Sequence, residues 1–318
     1  MVRLEDMGEK EVVSRIISKL GSEVAVGPGD DAAAIEFDDG YLVVSTDLIT
    51  VGSHSPRGMT ARQMGWMAAA VNLSDIAAMG ARPLGMLMAM ALPRNLEVER
   101  VMEMLEGARE CCHQAGTSII GGDTKEGDEI VLTGTALGFV EREGLLRRSG
   151  ARTGDILGVT GPMGLPAAGL LSIEWGMEMP SGRKALMEPT PMVREGRALS
   201  ISGGVTSCID ISDGLAHSIH LLSQAGGVGF QVDWHSIPVG EGVTDVAKKT
   251  EKDLEDLILY FGGEYELLFT MDPGAVDSIR EKIPCITPIG IVTEDRENII
   301  RKDGEIFPLR NEGWEHFG

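Results

Sequence analysis

Ile209-Asp210-Ile211-Ser212-Asp213-Gly214 marks the point where an apolar run, residues 205–211, meets an amphipathic one, residues 215–224. The pattern predicts a strand, a sharp turn and a helix. Ser212 and Asp213 then lie at the N-terminus of that helix, where unpaired N–H groups favour anions. Both residues are also ordinary helix caps. This stretch therefore predicts local structure and leaves its chemistry open.

Composition and charge narrow the class of protein. A chain of 318 residues suffices for two domains, and 43% apolar with only 4% aromatic residues predicts an aliphatic core. The formal charge of −21 argues against binding nucleic acid or an anionic membrane, because both would be repelled. Residues 1–10 lack the apolar segment of a signal peptide, and no apolar run approaches a membrane span. We expect a cytoplasmic protein.

The cysteines offer no obvious chemistry of their own. Cys111, Cys112, Cys208 and Cys285 form no C-x-x-C pair, and no histidine is spaced to complete a zinc site. No Ser/His/Asp or Cys/His arrangement stands out either. We expect reduced thiols in the core.

Carboxylates recur where secondary structure is predicted to end. Gly29-Asp30-Asp31 lies in a Gly/Pro-rich turn, Thr46-Asp47 follows a predicted strand, and Gly121-Gly122-Asp123-Thr124 follows another at residues 117–120. Small neighbours leave room for a ligand. A polar surface loop explains Gly-Asp-Asp equally well when that motif is taken alone.

A buried helix is predicted from Thr60 to Met79, because this stretch is dominated by Ala, Met and Gly. Asn72 and Asp75 are three residues apart and share a face. A carboxylate in such a helix is costly unless it is paired or holds a metal ion. Metal binding is favoured, with a satisfied buried hydrogen bond as the alternative.

The polar segment 141–154 is the predicted domain boundary, which gives an N-terminal domain of residues 1–145 and a C-terminal domain of residues 146–318. Residues 175–191 are polar and contain proline, which is typical of a surface loop.

Six aspartates form the candidate site of this acidic chain: Asp30, Asp47, Asp75, Asp123, Asp210 and Asp213. Oxygen-only ligands suit Mg²⁺. Several Mg²⁺ ions beside Gly-rich turns could hold a polyphosphate and stabilise an in-line displacement. The residues therefore indicate phosphoryl transfer from ATP.

The same motifs, taken together and in order, resemble the thiamine-monophosphate kinases. They are Gly29-Asp30-Asp31-Ala32-Ala33, Ser45-Thr46-Asp47, residues 72–81, Gly121-Gly122-Asp123-Thr124, Arg148-Ser149-Gly150-Ala151, residues 210–215 and Gly313-Trp314-Glu315-His316-Phe317. The resemblance implies the two-domain α/β (α+β) fold of the aminoimidazole ribonucleotide synthetase-like superfamily. It also implies a homodimer, in which the N-terminal sheets form a shared β-barrel and ATP lies between the two domains.

The resemblance also implies roles for individual residues. Magnesium ligands, direct or through water, would be Asp30, Ser45, Thr46, Asp47, Asp75, Asp123, Asp210 and Asp213. Contacts to ATP would come from Gly122, Asp123, Arg148 and Ser212. Contacts to thiamine monophosphate would come from His54, Glu264 and Trp314, the last by stacking.

Two positions depart from the family pattern, and both lie on the acceptor side. Gly263 stands where the family usually has the substrate-contacting Glu, which makes Glu264 the substitute, and Ser55 stands where Phe is usual. Two other functions therefore stay open. One is a related ATP-dependent enzyme acting on another acceptor. The other is a non-catalytic protein that binds ATP or divalent cations.

Overall fold

The computed structural model describes residues 3–21 and 23–314, which form two sheets with helices packed against them. The helices are α1 Glu9–Ile17, α2 Val51–His54, α3 Ala61–Ala78, α4 Val98–Gln114, α5 Leu165–Glu174, α6 Pro180–Met187, α7 Val193–Ser200, α8 Leu215–Gly226, α9 Val243–Thr250 and α10 Val276–Lys282. The strands are β1 Ala33–Phe37, β2 Gly40–Thr50, β3 Arg82–Leu92, β4 Ile119–Glu126, β5 Val131–Glu141, β6 Ile156–Val159, β7 Val205–Asp210, β8 Gly229–Asp233, β9 Leu267–Met271, β10 Thr287–Thr293, β11 Asn298–Lys302 and β12 Glu305–Pro308.

The first sheet has five strands in the order β1-β2-β5-β3-β4. β2, β5 and β3 pair antiparallel, and β4 joins β3 in parallel as the last strand. Along β2 and β5 the side chains alternate between a buried face and an open one. We call the buried face, which packs on α3, the inner face and the opposite face the outer face.

Helix α3 is buried as its composition predicts. Fifteen of its eighteen residues are buried, and Thr60 caps its N-terminus by accepting a hydrogen bond from the Gln63 backbone N–H. α4 approaches closely, because a Cβ on Gly65 would lie 1.7 Å from the carbonyl oxygen of Met104. α3 also contacts β2, β5 and β7, so it packs against both sheets.

The second sheet has seven strands in the order β12-β11-β8-β10-β6-β9-β7, and most neighbours are antiparallel. β7 is its last strand and leads through the turn at 211–214 into α8, as the sequence predicts. The two-domain α/β fold is therefore confirmed. Within residues 3–21 and 23–314, neither sheet closes into a barrel.

Three local predictions are wrong. Asp47 and Asp123 lie inside β2 and β4 rather than after a strand, because both strands keep pairing through them. β4 can do so since Gly122 lets its backbone approach β3: a Cβ there would lie 1.8 Å from the Met88 carbonyl oxygen. The predicted loop at 175–191 contains α6, which packs against α5.

The cysteines and the hydropathy of the helices complete the picture. Cys111, Cys112 and Cys208 are buried as expected, whereas Cys285 is exposed. Across the helices in the described part of the chain, none combines the length and the apolarity that crossing a membrane requires.

Candidate active site

Three carboxylates meet where the two sheets face each other. Asp31 precedes β1, Asp75 lies on α3 and Asp210 ends β7, and each offers one oxygen within 4.8 Å of the others. We call these three residues the acid cluster. Because the members come from three elements, the cluster forms only when both halves of the chain pack together.

Serine hydroxyls orient two members of the cluster. The Ser74 hydroxyl donates to Asp210 Oδ2 at 2.6 Å, and the Ser45 hydroxyl donates to Asp75 Oδ2. Asp210 is buried, with 4% of its surface exposed. Ser74 and Asp75 are adjacent on α3. This helix therefore supplies both Asp75, a candidate metal ligand, and the hydroxyl group that orients Asp210.

Arg148 ties the third member in place. Its guanidinium donates twice to Asp31 Oδ1, from Nη2 at 2.6 Å and from Nε at 3.1 Å. Its backbone N–H donates to the Asp30 carboxylate at 3.2 Å. The other oxygen of Asp31, Oδ2, is buried with no hydrogen-bond partner among the described residues. Such an oxygen is costly to leave unmatched and suits a cation.

The raised pKa values of the acid cluster and of Asp30 also indicate a cation site. Burial, helped by the charge of Asp31, raises the pKa of Asp210 to about 8. Burial and then the charges of Asp210 and Asp47 raise the pKa of Asp75 well above its ordinary value. Burial also raises the pKa of Asp30 to about 6. Oxygen-only donors that repel one another and keep one unmatched atom fit Mg²⁺.

Asn72 makes hydrogen bonds through both atoms of its side-chain amide. Its side-chain oxygen accepts from the Asp47 N–H at 2.9 Å, and its amide donates to the carbonyls of Ala68 and Asp47. Asn72 is thus a satisfied buried hydrogen-bonding residue that locks α3 to β2. Asp75, one turn further, belongs to the acid cluster instead.

The remaining predicted residues of β2 divide between its two faces. Ser45 and Asp47 lie on the inner face, and desolvation raises the pKa of Asp47. Thr46 lies on the outer face, where its hydroxyl donates to the Gly134 carbonyl at 2.8 Å and lies 3.1 Å from the Thr135 hydroxyl. The structure therefore does not bring the Thr46 hydroxyl to the acid cluster.

Three cavities meet at Ser212 and Asp213. The central cavity, about 630 Å³, lies over the acid cluster and along residues 46–50 of β2. The large cavity, about 800 Å³, lies between α1 and α8 and includes Arg148. The small cavity, about 280 Å³, extends from Ser212 and Asp213 toward His54 and Gly263. One reaction centre with a compartment on each side can hold a donor and an acceptor.

The small cavity gathers the predicted acceptor residues His54 and Trp314, together with Gly263 and Tyr265. His54 Nδ1 accepts from the Thr50 N–H at 3.3 Å, which leaves Nε2 to carry the ring hydrogen of the neutral form. The backbone N–H of Trp314 donates to the Asp213 carbonyl at 3.0 Å, which holds the chain at Trp314 next to Asp213. Glu315, His316 and Phe317, also in the predicted motif, lie outside the described residues.

Glu264 does not reach this cavity. Its carboxylate is buried and accepts from the Gly164 N–H at 2.6 Å at the start of α5, and burial raises its pKa well above the ordinary value. Gly263, with φ of +87°, has only Pro166 near the position of a Cβ. The predicted substitute for the usual Glu therefore serves α5, and the Gly263 position stays open.

Gly122 and Asp123 are not brought to the acid cluster either. The strand pairing aligns Leu48, Thr133, Ala89 and Asp123 across the outer face. Three strand spacings separate β4 from β2, about 14 Å. Asp123 is exposed, and its carboxylate lies 3.7 Å from Lys125 Nζ.

Asp31 is the member of the cluster that the sequence motif does not single out. Its neighbour Asp30 lies at the rim and accepts backbone N–H groups, whereas Asp31 points inward to Arg148. The pair of adjacent carboxylates is the signal in the sequence, because one binds backbone N–H groups and the other binds the Arg148 guanidinium.

Comparisons with known proteins show the family to which the chain belongs. The family described as AIR synthase related protein matches through its N-terminal domain at residues 29–140 and through its C-terminal domain at residues 152–303. Thiamine-monophosphate kinase from Pyrococcus horikoshii is 32% identical over 98% of this chain and 96% of its own length. The kinase of that name from Methanopyrus kandleri is 37% identical over 90% of each chain.

Solved structures of thiamine-monophosphate kinases are also similar to this chain. The crystal structure of thiamine monophosphate kinase from Aquifex aeolicus superposes with a TM-score of 0.80 at 26% identity, covering 96% of this chain and 99% of that one. A structure described as AaThiL complexed with AMPPCP and TMP superposes with a TM-score of 0.88 at 28% identity, covering 99% of each chain.

Proposed function

Because the chain belongs to the thiamine-monophosphate kinase family, we propose that it transfers the γ-phosphoryl group of ATP to thiamine monophosphate and so forms thiamine diphosphate. The observation that carries this proposal is the meeting of the three cavities beside the acid cluster. A similar structure that holds AMPPCP, an ATP analogue, together with TMP supports the same pair of substrates.

Several Mg²⁺ ions belong to the proposal. The residues that would hold them are the acid cluster and the oxygens at its rim, namely Asp30, Asp31, Ser45, Asp47, Asp75, Asp210 and Asp213. When bound, they neutralise phosphate charge and orient an in-line displacement. The unmatched Asp31 Oδ2 and the raised pKa values of Asp75 and Asp210 support this role.

The chain itself needs no general base for this reaction. A phosphate monoester has a second pKa of about 6, so the acceptor is mostly a dianion at neutral pH. What the protein must do is bring two anions together and exclude water. Arg148, which is bonded to Asp31 and lines the large cavity, would bind the phosphate chain of ATP. Ser212, at the junction of the cavities, borders both substrates.

We assign thiamine monophosphate to the small cavity. Its lining combines apolar side chains, such as Phe261 and Leu170, with His54 and the indole of Trp314. An aromatic ring stacks well on an indole, and a thiazolium cation is attracted to its face. His54 would contact the phosphate end of thiamine monophosphate. Gly263 leaves space where a larger residue would narrow this cavity.

We also propose a homodimer built on the outer face of the first sheet, with residues 1–145 as the ATP- and Mg-binding and dimerisation domain and residues 146–318 as the second domain. Five apolar side chains on that face are 40–59% exposed, which is unusual for a monomer: Ile35, Phe37, Leu48, Leu87 and Ile120. Two outer faces packed together could form the shared β-barrel.

Strand edges support the same dimer and give Gly122 and Asp123 a place. Within the described residues no strand pairs with the outside edge of β2 after Val44, and β4 is the last strand at the other end. If β4 of one protomer pairs there, the partner subunit's Asp123 lies beside Asp47 and the central cavity. The site of one protomer would thus be completed by the other.

Product analysis tests the proposed reaction. The protein is mixed with ATP, Mg²⁺ and thiamine monophosphate, and ADP and thiamine diphosphate are followed together. Formation of both in equal amounts is expected. ATP binding without thiamine diphosphate would refute the assigned acceptor and favour a related enzyme with another acceptor, or a protein that only binds nucleotide and cations.

A further inference from the structure

A fourth cavity, of about 680 Å³, lies apart from the reaction centre and gathers cations. It lies between the N-terminus of α3 and helices α5 and α6, and none of the described residues that line it lines the other three cavities. We call it the basic cavity, after its lining residues Arg57, Arg183 and Lys184. Three cations and one carboxylate, that of Glu188, leave its described lining with a net charge of +2, in a chain whose formal charge is −21.

Close packing of α6 on α5 fixes the wall that carries two of these cations. A Cβ on Gly169 would lie 2.2 Å from the Gly182 carbonyl oxygen, so the two helices touch through glycines. The Arg183 guanidinium donates from Nε to the Ser172 hydroxyl at 3.1 Å and from Nη2 to the Met177 carbonyl at 2.5 Å. Its Nη1 group makes no hydrogen bond within the described residues, so two of its five donors remain for a ligand.

The other two cations have no partner of opposite charge in the described part of the chain. Arg57, three residues before the Thr60 cap, and Lys184 on α6 are exposed, and neither side chain makes an ion pair there. Glu188, the carboxylate of the cavity, instead accepts from Gln63 Nε2 at 2.9 Å. Like charges that share a cavity repel one another, and a bound anion relieves that repulsion.

The rest of the lining adds two helix ends and an apolar surface. Thr60, the N-cap of α3, and Pro180, the first residue of α6, both line the cavity. The N-terminal end of a helix carries a partial positive charge that favours anions. Ile173 on α5 and Met187 on α6 are apolar. The basic cavity therefore suits a molecule with an anionic end and an apolar part.

The chemistry of the cations favours a phosphate group as the anionic end. A guanidinium presents parallel N–H donors that match two phosphate oxygens, and a lysine adds a point charge. A phosphate monoester is mostly a dianion at neutral pH, which matches the net charge of the lining. A nucleic acid matches less well, because the charge of −21 on the whole chain would repel it. The volume of about 680 Å³ also leaves room for an organic group beyond the phosphate.

We propose that the basic cavity is a binding site for a small phosphate monoester, with the phosphate held by the three cations and the organic part against Ile173 and Met187. The site goes beyond the proposed function, because neither substrate of that reaction is assigned to this cavity. It shares a wall with the small cavity. Pro56, which lines the small cavity, adjoins Arg57 in the chain, and Leu186, which also lines it, adjoins Met187.

Binding of phenyl phosphate tests the proposed site. Its affinity is measured by calorimetry at neutral pH and low salt, with a chelator present so that no divalent cation draws the phosphate to the acid cluster. Arg57→Gln and Lys184→Gln each remove one cation of the cavity. Lys248→Gln is the matched control, because Lys248 is an exposed lysine on α9 outside the cavity. Trp314→Ala is the control for binding in the small cavity.

Arg57→Gln and Lys184→Gln are each expected to weaken binding of phenyl phosphate about tenfold, which corresponds to about 1.4 kcal/mol. Lys248→Gln and Trp314→Ala should bind it like the wild type. Both cations of the cavity that are changed are exposed, so the two variants are expected to fold.

Glu188→Gln should act in the opposite direction. It removes the negative charge from the described lining, and its amide oxygen can still accept from Gln63, so phenyl phosphate should bind about threefold more tightly. A defect in folding would not produce such a gain.

Two results would overturn the proposal. One is the same affinity for phenyl phosphate in the wild type, Arg57→Gln and Lys184→Gln. The other is tighter binding of a poly-glutamate peptide than of phenyl phosphate, lost in the same two variants, which would make the cavity a docking site for an acidic protein segment. Both results are obtained without turnover, so they are separate from the formation of thiamine diphosphate.

Discussion

The inner and outer faces of the first sheet differ in how complete they are. On the inner face, Ser45 and Asp47 lie next to α3, and carboxylates from both halves of the chain converge on one point. On the outer face, Asp123 stands on the last strand among exposed apolar residues such as Leu48 and Leu87. One chain therefore builds the proposed cation site, whereas the opposite face exposes apolar side chains that the proposed dimer would cover.

This difference shows how one strand can serve two purposes. Alternation along β2 sends Asp47 to the cation site and Thr46 to the open face. The inner face carries electrostatic repulsion that bound cations would relieve. The outer face carries apolar area that a second protomer would cover. Each face can be broken separately, which gives the following predictions.

The largest effect is expected on the inner face. Asp210→Asn should reduce turnover by about 1,000-fold or more, because it removes a proposed metal ligand. The same change removes a buried charge, so metal-free Asp210→Asn should unfold at the same or a higher urea concentration than the wild type. Asp303→Asn, at an exposed position, is the control for both measurements. Near-normal turnover in Asp210→Asn would remove the metal assignment.

Breaking the outer face should have the next largest effect. Leu87→Lys places a charge in the proposed interface, so sedimentation should show monomers, and activity should fall about 100-fold because the site of a monomer is incomplete. The control is Ile306→Lys on β12, where an apolar side chain is also exposed, at 57% against 40% for Leu87. A Leu87→Lys protein that stays dimeric and active would contradict the proposed interface.

The repulsion on the inner face predicts a pH dependence of stability. The pKa values of Asp210, about 8, and Asp30, about 6, are raised above those of the unfolded chain. The native state then binds more protons, so metal-free stability is highest below about pH 4 for these groups and declines as pH rises toward 8. While one group titrates, the unfolding constant changes up to about tenfold per pH unit.

Urea unfolding at pH 5, 7 and 9 in the presence of a chelator measures that decline. Mg²⁺ should reduce it, because the cation favours the charged carboxylates. Asp210→Asn should flatten the curve between pH 6 and 8, where Asp210 is the group whose proton is lost. Metal-free stability that rises with pH over this interval would mean that the cluster is not under electrostatic strain.

The smallest effect is expected at the edge of the site. Trp314→Ala should raise the KM for thiamine monophosphate about fivefold and leave the KM for ATP within about twofold, because the stacking ring is lost. The backbone N–H that bonds to Asp213 is retained in this variant. Steady-state kinetics with each substrate varied in turn measure both constants. An unchanged KM for thiamine monophosphate would remove the stacking role.

Sequence patterns suffice where a local rule governs the structure. The strand-turn-helix around Asp210 and the buried helix with Asp75 follow from periodicity and small residues. The family resemblance adds Arg148, which the structure places beside Asp31. Each of these residues lies inside the pattern or motif that identifies it, so the sequence is enough to find them.

Other features depend on long-range pairing and could not be predicted. The sequence does not show that β2 and β4 continue through Asp47 and Asp123, because that depends on pairing with β5 and β3. It also places Glu264 beside Gly263, although the carboxylate turns away to the N-terminus of α5. The Ala-, Met- and Gly-rich α3 is recognisable, but the strands that pack around it are set by tertiary contacts.

The most direct test of the account mixes two inactive proteins, Asp75→Asn and Asp123→Asn. If each site combines the inner face of one protomer with β4 of the other, a mixed dimer contains one intact site. After subunit exchange of equal amounts, about a quarter of the wild-type activity should return, since about half of the dimers are mixed and each has one good site of two. If activity stays at the level of the separate variants although mixed dimers form, the partner does not complete the site.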